Sequence, residues 1–296
     1  TRNIYKFPLT LKEKGIDCAI FDILNLKPGQ PHSDIKDWKN LLTKIDSPKK
    51  QLTIGIAGKY TNVHDSYMSI LKALEHTAPY SNASINIKWI ETMDIETGKT
   101  SVEEAMKDID GMIVPGGFGK RGAEGKIACI KYLRENNIPY LGLCFGFQMA
   151  VIEYARNVCN IPEANSTEIE PDCKDPVIDI LPEQKEIEGL GGNMRLGSYP
   201  AILTKGSKIF SLYNQEKIDE RHRHRYEVNN KYLEILEKNG LIFSGKSPKG
   251  SLMEFLELPN HKFFIGTQAH PCFKSKPTSP SPVFHGFIKA ALEHSN

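Results

Sequence analysis

Short apolar runs alternate with amphipathic stretches from Leu52 onward. The runs LTIGIAGKY, SINIKWI, GMIVPGG and PYLGLC have the length and residue types of buried strands. Helical spacing predicts helices over Ser66 to His76 and onward from Val102, Glu124 and Gly146. Strands that alternate with helices indicate the α/β class, with a doubly wound and mostly parallel sheet.

A different pattern characterises the second half, where strand-like runs follow one another with few helices between them. These runs are MRLGSYPAIL, RHRHRYEVN, LIFSG, SLMEFLEL and KFFIGTQAH, and a closing helix is predicted from Phe284 to His294. Consecutive strands of this kind favour antiparallel pairing. We therefore expect additional antiparallel strands beside the parallel ones.

The first fifty residues have their own organisation. A helix-like stretch YKFPLTLKEKGI precedes a loop rich in Pro, Gly and Lys from Asn25 to Ser33, followed by the amphipathic stretch DIKDWKNLLTKI. The run DSPKKQ predicts a linker that ends near Gln51. The chain opens without Met and without a signal peptide, which suggests the interior of a larger protein. We predict a division into residues 1–50 and 51–296.

Composition narrows the class of protein further. The 296 residues are 40% hydrophobic and 25% charged, and their net charge of +2 favours neither a nucleic-acid nor a membrane partner. The run ERHRHRYE is interpreted as alternating charge on a strand. No apolar run approaches the roughly 18 residues of a transmembrane helix. Six cysteines without C-x-x-C spacing are too sparse for a disulfide framework, so we expect a soluble cytoplasmic protein.

One cysteine lies between two glycines at a predicted strand-to-helix junction, in the run YLGLCFGFQMA. The segment from Gly142 through Cys144 to Gly146 has the form G-x-nucleophile-x-G, which we call the elbow. Its glycines permit a tight turn that exposes the nucleophile. The following helix N-terminus is expected to lower the thiol pKa and to offer N–H groups to a developing oxyanion. From this motif alone, a buried structural cysteine is an equal alternative.

Two further elements favour a catalytic role for Cys144. The run VPGGFGKRG ends the preceding strand, and the amide of Gly117 is a candidate second donor to an oxyanion. In IGTQAHPCF, His270 follows an apolar strand. A nearby imidazole activates a thiol by accepting its proton and returning it to the leaving group. Alone, each element is weak evidence, because Gly-rich turns and structural histidines are both common.

A second motif suggests a different chemistry and is rejected. The segment from Gly240 to Ser247 matches the phosphate-loop pattern G-x-x-x-x-G-K-[ST]. Its interior LIFS is apolar and strand-like, Gly240 fits the C-cap of YLEILEKN, and no helix begins at Pro248. We predict that Gly245, Lys246 and Ser247 bind no phosphate and form a solvent-exposed turn.

The order of the motifs PGGFG, G-x-C-x-G-x-Q, ANSTE, GG-x-M-RLG, RHRHRYEVN and HP-x-F resembles the glutaminase domains of the CTP synthase family. These domains are class I glutamine amidotransferases with a flavodoxin-like fold. The likeness runs from about Tyr5 to the C-terminus, and the combination of ANSTE with RHRHRYEVN is more specific than the elbow. Residues 1–50 resemble the end of the synthetase domain and its linker, and residues 51–296 the glutaminase domain.

The resemblance implies roles for particular residues. Cys144 would attack the side-chain amide of glutamine, His270 would carry the proton, and the amides of Gly117 and Phe145 would form the oxyanion hole. A γ-glutamyl thioester would follow. The family's glutamine contacts fall on Gly117, Phe145, Gly146, Phe147, Gln148, Glu168 and Arg225.

The resemblance also implies partners outside this segment. Ammonia would pass to the synthetase domain of the same polypeptide, which is absent here and where ATP with Mg²⁺ would drive the amination of UTP to CTP. No cofactor is expected in the glutaminase domain itself. The full-length protein is expected to form a homo-oligomer.

One position departs from the family pattern H-P-E-F, in which the glutamate orients the histidine. This sequence has Cys272 at that place, and a neutral thiol does not stabilise an imidazolium as a carboxylate does. Loss of the acid costs up to about 10⁴ in rate in a related triad, but a cysteine triad with a thiolate–imidazolium pair depends on it less, so weakened activity is expected. Phe145 and Phe147 replace the usual Leu and Met, which are volume-tolerant exchanges.

Three hypotheses remain open from the sequence. The first is a working glutaminase domain that is impaired by Cys272. The second is a pseudo-glutaminase retained as a regulatory or assembly module, which the same residue favours. The third is a free-standing γ-glutamyl hydrolase or peptidase, against which the synthetase-like first fifty residues and RHRHRYEVN argue. Measuring the ammonia and glutamate formed from glutamine separates them.

Overall fold

A computed structural model describes residues 3–27, 34–59, 61, 63–180 and 194–295. Residues 28–33 of the predicted loop, Tyr60 of the first apolar run and residues 191–193 of GG-x-M-RLG therefore lie outside the described residues. The strands of the described part are β1 (Lys50–Gly58), β2 (Ala83–Glu91), β3 (Gly111–Val114), β4 (Tyr140–Leu143), β5 (Ala164–Ser166), β6 (Asp175–Asp179), β7 (Arg195–Leu203), β8 (Lys217–His224), β9 (Glu227–Val228), β10 (Ile242–Lys246), β11 (Met253–Glu257) and β12 (Phe264–Thr267).

Nine of these strands form one sheet in the order β2-β1-β3-β4-β12-β11-β10-β7-β8. The first five of that order pair in parallel, because helices cross over the sheet between consecutive strands. From β12 to β8 every pair is antiparallel. The predicted α/β fold, a doubly wound sheet with additional antiparallel strands, is confirmed.

Helices cover both faces of the sheet. The α-helices are α1 (Phe7–Glu13), α2 (Ile16–Ile23), α3 (Asp34–Asp46), α4 (Met68–Thr77), α5 (Thr92–Glu96), α6 (Val102–Met106), α7 (Ala123–Glu135), α8 (Phe145–Asn157), α9 (Lys208–Tyr213), α10 (Leu233–Lys238) and α11 (Pro282–His294). Short 3₁₀ turns span Ile4–Lys6, His64–Tyr67, Ala78–Ser81, Asn230–Tyr232 and Pro271–Lys274. No helix in the described ranges is long and apolar enough to cross a membrane.

The core consists of two hydrophobic clusters, one on each face of the sheet. Leu52 and Ile113 point to the face covered by α4 and α11. Met112 and Val114, the neighbours of Ile113, point to the face covered by α7 and α8, as the two-residue period of a strand requires. Each fully buried aliphatic side chain contributes about 1.5–3 kcal/mol, so these strands form a stable base for the loops at their ends.

A smaller sheet lies beside α8. Its order is β5-β6-β9, with β5 and β6 parallel and β6 and β9 antiparallel. The ANSTE motif forms β5 and the turn that follows it. The end of RHRHRYEVN forms β9, so two distant motifs of the sequence belong to one small sheet.

The first predicted helix is interrupted. Gly15 has a left-handed φ of 67° and separates α1 from α2, and neither helix buries a side chain. In contrast, α3 places Leu41 and Leu42 in buried positions. The first strand begins at Lys50, directly after these helices.

Candidate active site

A cleft of about 600 Å³ opens at the carboxyl ends of β3, β4 and β12. Doubly wound sheets bind their ligands at this edge. Residues from several loops and from the end of β8 line it: Ser66, Gly116, Gly117, Phe118, Cys144, Gln148, Glu168, Met194, Arg223, His224, Arg225, Tyr226 and His270. The cleft therefore brings together Cys144, His270, Gly117, Gln148, Glu168 and Arg225, which the sequence had predicted as site residues.

Cys144 occupies a strained turn between β4 and α8. Its φ of 50° and ψ of −99° are sparsely populated by residues other than glycine, and such strain costs about 1–3 kcal/mol. A Cβ on Gly142 would lie 2.2 Å from the Tyr140 hydroxyl oxygen, and a Cβ on Gly146 would lie 2.0 Å from the Val114 carbonyl oxygen. Glycine is therefore required on both sides, as the elbow motif predicts.

The thiol of Cys144 is neutral in this cleft. Burial raises its pKa to about 12, and the negative charge of Glu168 acts in the same direction. The Phe145 N–H and the Gln268 amide, whose Nε2 lies 3.7 Å from Sγ, act in the opposite direction with smaller effect. The predicted lowering of the thiol pKa is wrong, because desolvation outweighs the helix N-terminus.

His270 lies next to Cys144 at the end of β12. A Cβ on Gly116 would lie 2.9 Å from His270 Cε1 and 3.6 Å from Cys144 Cβ. Both side chains therefore lie next to Gly116 and close to each other. Burial, together with His224 and Arg223, lowers the imidazole pKa to about 4. Among the residues that the structure describes, His270 Nε2 is buried without a hydrogen-bond partner. The ring is therefore a neutral imidazole with one nitrogen available to receive a proton.

Cys272 does not form the contact with His270 that the family pattern predicts. Its Sγ lies 3.6 Å from Ser69 Oγ, and burial raises the thiol pKa to about 11. Within the described residues, no hydrogen bond joins it to His270, since a thiol is shorter than a glutamate side chain. The backbone holds the histidine instead: its N–H donates to the Arg221 carbonyl at 2.7 Å, and the ring is hydrogen-bonded to the backbone of Arg223.

The two predicted oxyanion donors are neighbours. A Cβ on Gly117 would lie 3.7 Å from Phe145 Cδ1, so the glycine loop after β3 packs directly on the first residue of α8. The Gly119 N–H donates to Glu168 Oε1 at 3.0 Å and fixes the other end of the loop. The Phe145 N–H is also hydrogen-bonded to the thiol of Cys144. The backbone of Phe145 therefore lies at the reacting sulfur.

The cleft holds charges of both signs. Burial raises the pKa of Glu168, while the Gly119 N–H and the positive charge of Arg225 lower it. Arg225 thus lies within electrostatic reach of Glu168, and both residues line the cleft. A substrate with an α-ammonium and an α-carboxylate group needs such a pair of opposite charges.

The helical run after Cys144 reaches the cleft only once. Gln148 lines the cleft, and its Nε2 donates to the Tyr226 carbonyl at 2.9 Å and to Gln268 Oε1 at 3.2 Å. Gly146 and Phe147 do not line it, and the Phe147 ring is fully buried in the core. One helical turn separates Cys144 from Gln148, so the residues between them face the interior. Glutamine contacts at Gly146 and Phe147 stay a prediction, and any such contact would have to come from their backbone.

An ion network behind the cleft was not predicted. Arg195 lies 3.1 Å from Glu227 and 2.9 Å from Glu254, and His224 Nε2 lies 2.8 Å from Glu227 Oε1. The predicted alternation of RHRHRYE is present in β8, but it buries His222 and His224. Their shared face also carries the apolar Ile218, which was the signal that this face points inward. No group of three His, Cys, Asp or Glu in the described residues is arranged to hold a metal ion.

The phosphate-loop match lies away from the cleft. Gly245 and Lys246 belong to β10, which pairs with β7 and β11, so their backbone is in the sheet. Ser247 is buried, and its Oγ accepts a hydrogen bond from the Leu252 N–H at 3.1 Å. The predicted strand is present, but the solvent-exposed turn lies at residues 248–250 and not at Gly245 to Ser247.

Comparison with known proteins agrees with this geometry. The family model of glutamine amidotransferase class-I matches residues 62–290. The CTP synthases of Methanococcus maripaludis and Carboxydothermus hydrogenoformans are each 50% identical, over 99% and 98% of this chain. The chain spans about half the length of these relatives, 55% and 54% respectively.

A solved structure extends the comparison to three dimensions. The glutaminase domain of Trypanosoma brucei CTPS with bound acivicin has a TM-score of 0.75 and 35% sequence identity, covering 82% of this chain and 94% of that one. The chain belongs to the class-I glutamine amidotransferase family. Within that family, its similarity is to the glutaminase domains of CTP synthases.

Proposed function

We propose that the chain hydrolyses glutamine to glutamate and ammonia with Cys144 as the nucleophile. The observation that carries this proposal is the strained elbow, which holds a thiol at a φ of 50° beside the imidazole of His270. The same cleft holds Glu168 and Arg225, whose charges suit the two ends of an amino acid. Membership of the amidotransferase family supports glutamine as the substrate.

Binding places the side-chain amide of glutamine at the thiol. Glu168 receives the α-ammonium group and Arg225 the α-carboxylate, while Gln148 contributes an amide at the base of the cleft. These residues belong to separate elements, the turn after β5, the end of β8 and the first turn of α8. Because each element is anchored in the core, the amide carbon is positioned without a large rearrangement.

The first half-reaction forms the thioester. Cys144 Sγ bonds to the amide carbon as the thiol proton moves to His270, and the carbonyl oxygen becomes an oxyanion held by the N–H groups of Gly117 and Phe145. The carbon–nitrogen bond then breaks, and the proton on His270 passes to the leaving nitrogen, which departs as ammonia. The proton transfer accompanies the attack, because the thiol and the imidazole are both neutral beforehand.

The second half-reaction returns the enzyme to its starting state. Water attacks the thioester carbon and gives a proton to His270, and the same two N–H groups hold the oxyanion. The carbon–sulfur bond breaks, the sulfur takes the proton back, and glutamate leaves. Cys272 takes no part in either step, since its thiol is buried beside Ser69 and stays neutral.

The ammonia is proposed to serve a second reaction outside this segment. The relatives named above are CTP synthases about twice as long as this chain, which supports a synthetase domain in the same polypeptide. There, ATP with Mg²⁺ would drive the amination of UTP to CTP in a cytoplasmic homo-oligomer. Transfer of ammonia between the two sites requires the full-length protein.

Stoichiometry tests the glutaminase proposal. Glutamate and ammonia should form from glutamine in equal amounts with the 296-residue chain, and Cys144→Ala should abolish both. Cys159→Ala, which removes a buried thiol away from the cleft, is the matched control and should retain activity. A folded wild-type chain that forms no glutamate would favour the pseudo-glutaminase instead.

A further inference from the structure

One buried charge near the site has no role in the steps above. Lys126 lies in the first turn of α7 and is only 2% exposed. Its Nζ lies 4.9 Å from the centroid of the Phe145 ring. The same atom lies 3.4 Å from the position that a Cβ on Gly117 would occupy. The ammonium group is therefore packed against both residues whose N–H groups form the proposed oxyanion hole.

Fold stability does not explain this position. The N-terminus of a helix repels a cation, burial removes the hydration of the ammonium group, and Lys59 adds a second positive charge nearby. The carboxylates of Glu91 and Glu168 and the Phe145 ring offset these costs only in part, because the pKa of Lys126 remains lowered. A methionine of similar length would fill the same space without a buried charge.

We propose that Lys126 is a positioning residue of the oxyanion hole. Its ammonium group holds the Gly117 loop against Phe145 and places a positive charge behind the developing oxyanion. This inference rests on the proposed glutaminase activity. The ammonium group attracts the negatively charged oxyanion more strongly than the neutral amide oxygen of bound glutamine. It therefore stabilises the transition state more than the bound substrate.

The charge state of Lys126 provides a signature in the pH profile. Burial, together with the positive charge of Lys59, lowers its pKa to about 8, although Cys129, Glu91 and Glu168 act in the opposite direction. The ammonium form therefore predominates below about pH 8 and is lost as the pH rises through that value. The thiol of Cys144 and the imidazole of His270 titrate near 12 and 4, so neither produces a change near 8.

The ring of Phe145 allows a second, independent test of the role of Lys126. An aromatic face stabilises the charged form of a lysine, whereas an aliphatic side chain does not. Phe145→Leu should therefore move the alkaline fall in kcat to a lower pH while keeping the backbone N–H in place. A purely structural lysine would show no such movement.

The test measures kcat at saturating glutamine from pH 6 to 10 for wild type, Lys126→Met, Phe145→Leu and the control Lys131→Met. Lys131 lies on the exposed side of the same helix, so its loss changes the net charge equally. We expect a wild-type fall centred near pH 8, which Lys126→Met removes. Lys126→Met should also lower kcat about 10- to 100-fold at pH 7 with KM within about twofold, and Lys131→Met should match wild type.

Several results would overturn the inference while leaving the glutaminase proposal intact. A wild type active on glutamine without an alkaline fall between pH 7 and 10 would do so, and so would a fall that persists in Lys126→Met. If Lys126→Met does not fold, the pH profiles of wild type and Phe145→Leu still test the inference. A fall in kcat at the same pH in both would contradict the role of Lys126. Inactivity of wild type at every pH would instead contradict the proposed function.

Discussion

The parallel and antiparallel halves of the sheet hold the site in different ways. In the parallel half, β3, β4 and β12 are fully buried, and the loops after them place Gly117, Cys144 and His270 by backbone geometry. In the antiparallel half, buried charges on β7 and β11 support the turn that carries Arg225. Close packing positions the proposed nucleophile and its neighbours, and ion pairs hold the segment next to Arg225, the proposed contact of the α-carboxylate. The two halves should therefore fail differently when they are altered.

The largest effect is expected from the elbow. Gly146→Ala places a Cβ 2.0 Å from the Val114 carbonyl oxygen, so β3 and α8 must move apart. We expect glutamine turnover to fall by more than about 10³-fold, because a shift of 1 Å costs about 10² and the oxyanion hole is also displaced. Gly98→Ala is the control, since its φ of 72° is strained but its surroundings are open. Equal activity of the two variants would contradict the proposed elbow.

The ion network should show its effect on stability. Arg195→Met leaves the carboxylates of Glu227 and Glu254 buried without their cation, and we expect a loss of about 3–5 kcal/mol in the free energy of unfolding. Lys205→Met breaks an exposed pair with Glu216 and should cost less than about 1 kcal/mol. Urea denaturation measures the free energy of unfolding of both variants. A loss below about 1 kcal/mol for Arg195→Met would show that the network does not stabilise this half of the sheet.

Cys272 tests whether the backbone alone orients the histidine. Cys272→Ala should leave turnover within about twofold, because a neutral thiol hydrogen-bonded to Ser69 does not stabilise the imidazolium. Cys272→Glu should raise kcat by about 10- to 10³-fold with little change in KM, if its carboxylate reaches His270. Steady-state kinetics with glutamine gives kcat and KM for both variants. An unchanged or lower rate in a well-folded Cys272→Glu variant would contradict this expectation and would mean that the backbone contacts of His270 already suffice to orient the ring.

The smallest effect concerns the acid side of the pH profile. His270 must be neutral to accept a proton, and burial lowers its pKa to about 4, so kcat should be constant from pH 5 to 7. It should fall only as the pH drops through about 4, where the imidazole becomes charged. Rates at saturating glutamine check this. A midpoint near the ordinary histidine value of about 6.5 would show that the site is less desolvated than the structure indicates.

Local patterns predicted the parallel half of the site well. The strand-to-helix junction and the two glycines around Cys144 are determined by neighbouring residues, so the elbow followed from a short stretch of sequence. The direction of the thiol pKa did not follow, because it depends on burial by elements distant in the chain. The burial of the Phe147 side chain did not follow for a related reason: the helical period places Gln148, and not Phe147, on the face that lines the cleft.

The antiparallel half was harder to predict. Its network joins Arg195 on β7 to Glu254 on β11 and to Glu227 on β9 of the smaller sheet, so their proximity depends on the strand order β11-β10-β7 and on the smaller sheet lying beside β7. No local motif connects these positions. The alternation in RHRHRYE was visible in the sequence, but which face points inward depends on the strand pairing and on the apolar Ile218. Tertiary structure was therefore needed to identify the buried charges.

Selective labelling of one thiol tests the central claim most directly. An electrophilic glutamine analogue should add once to the wild-type chain, and peptide mass spectrometry should place the adduct on Cys144 among the six cysteines. Cys144→Ala should remain unlabelled, and excess glutamine should protect the wild type. Equal or preferential labelling of Cys129 or Cys159, or labelling that glutamine does not prevent, would contradict the assignment of Cys144 as the nucleophile.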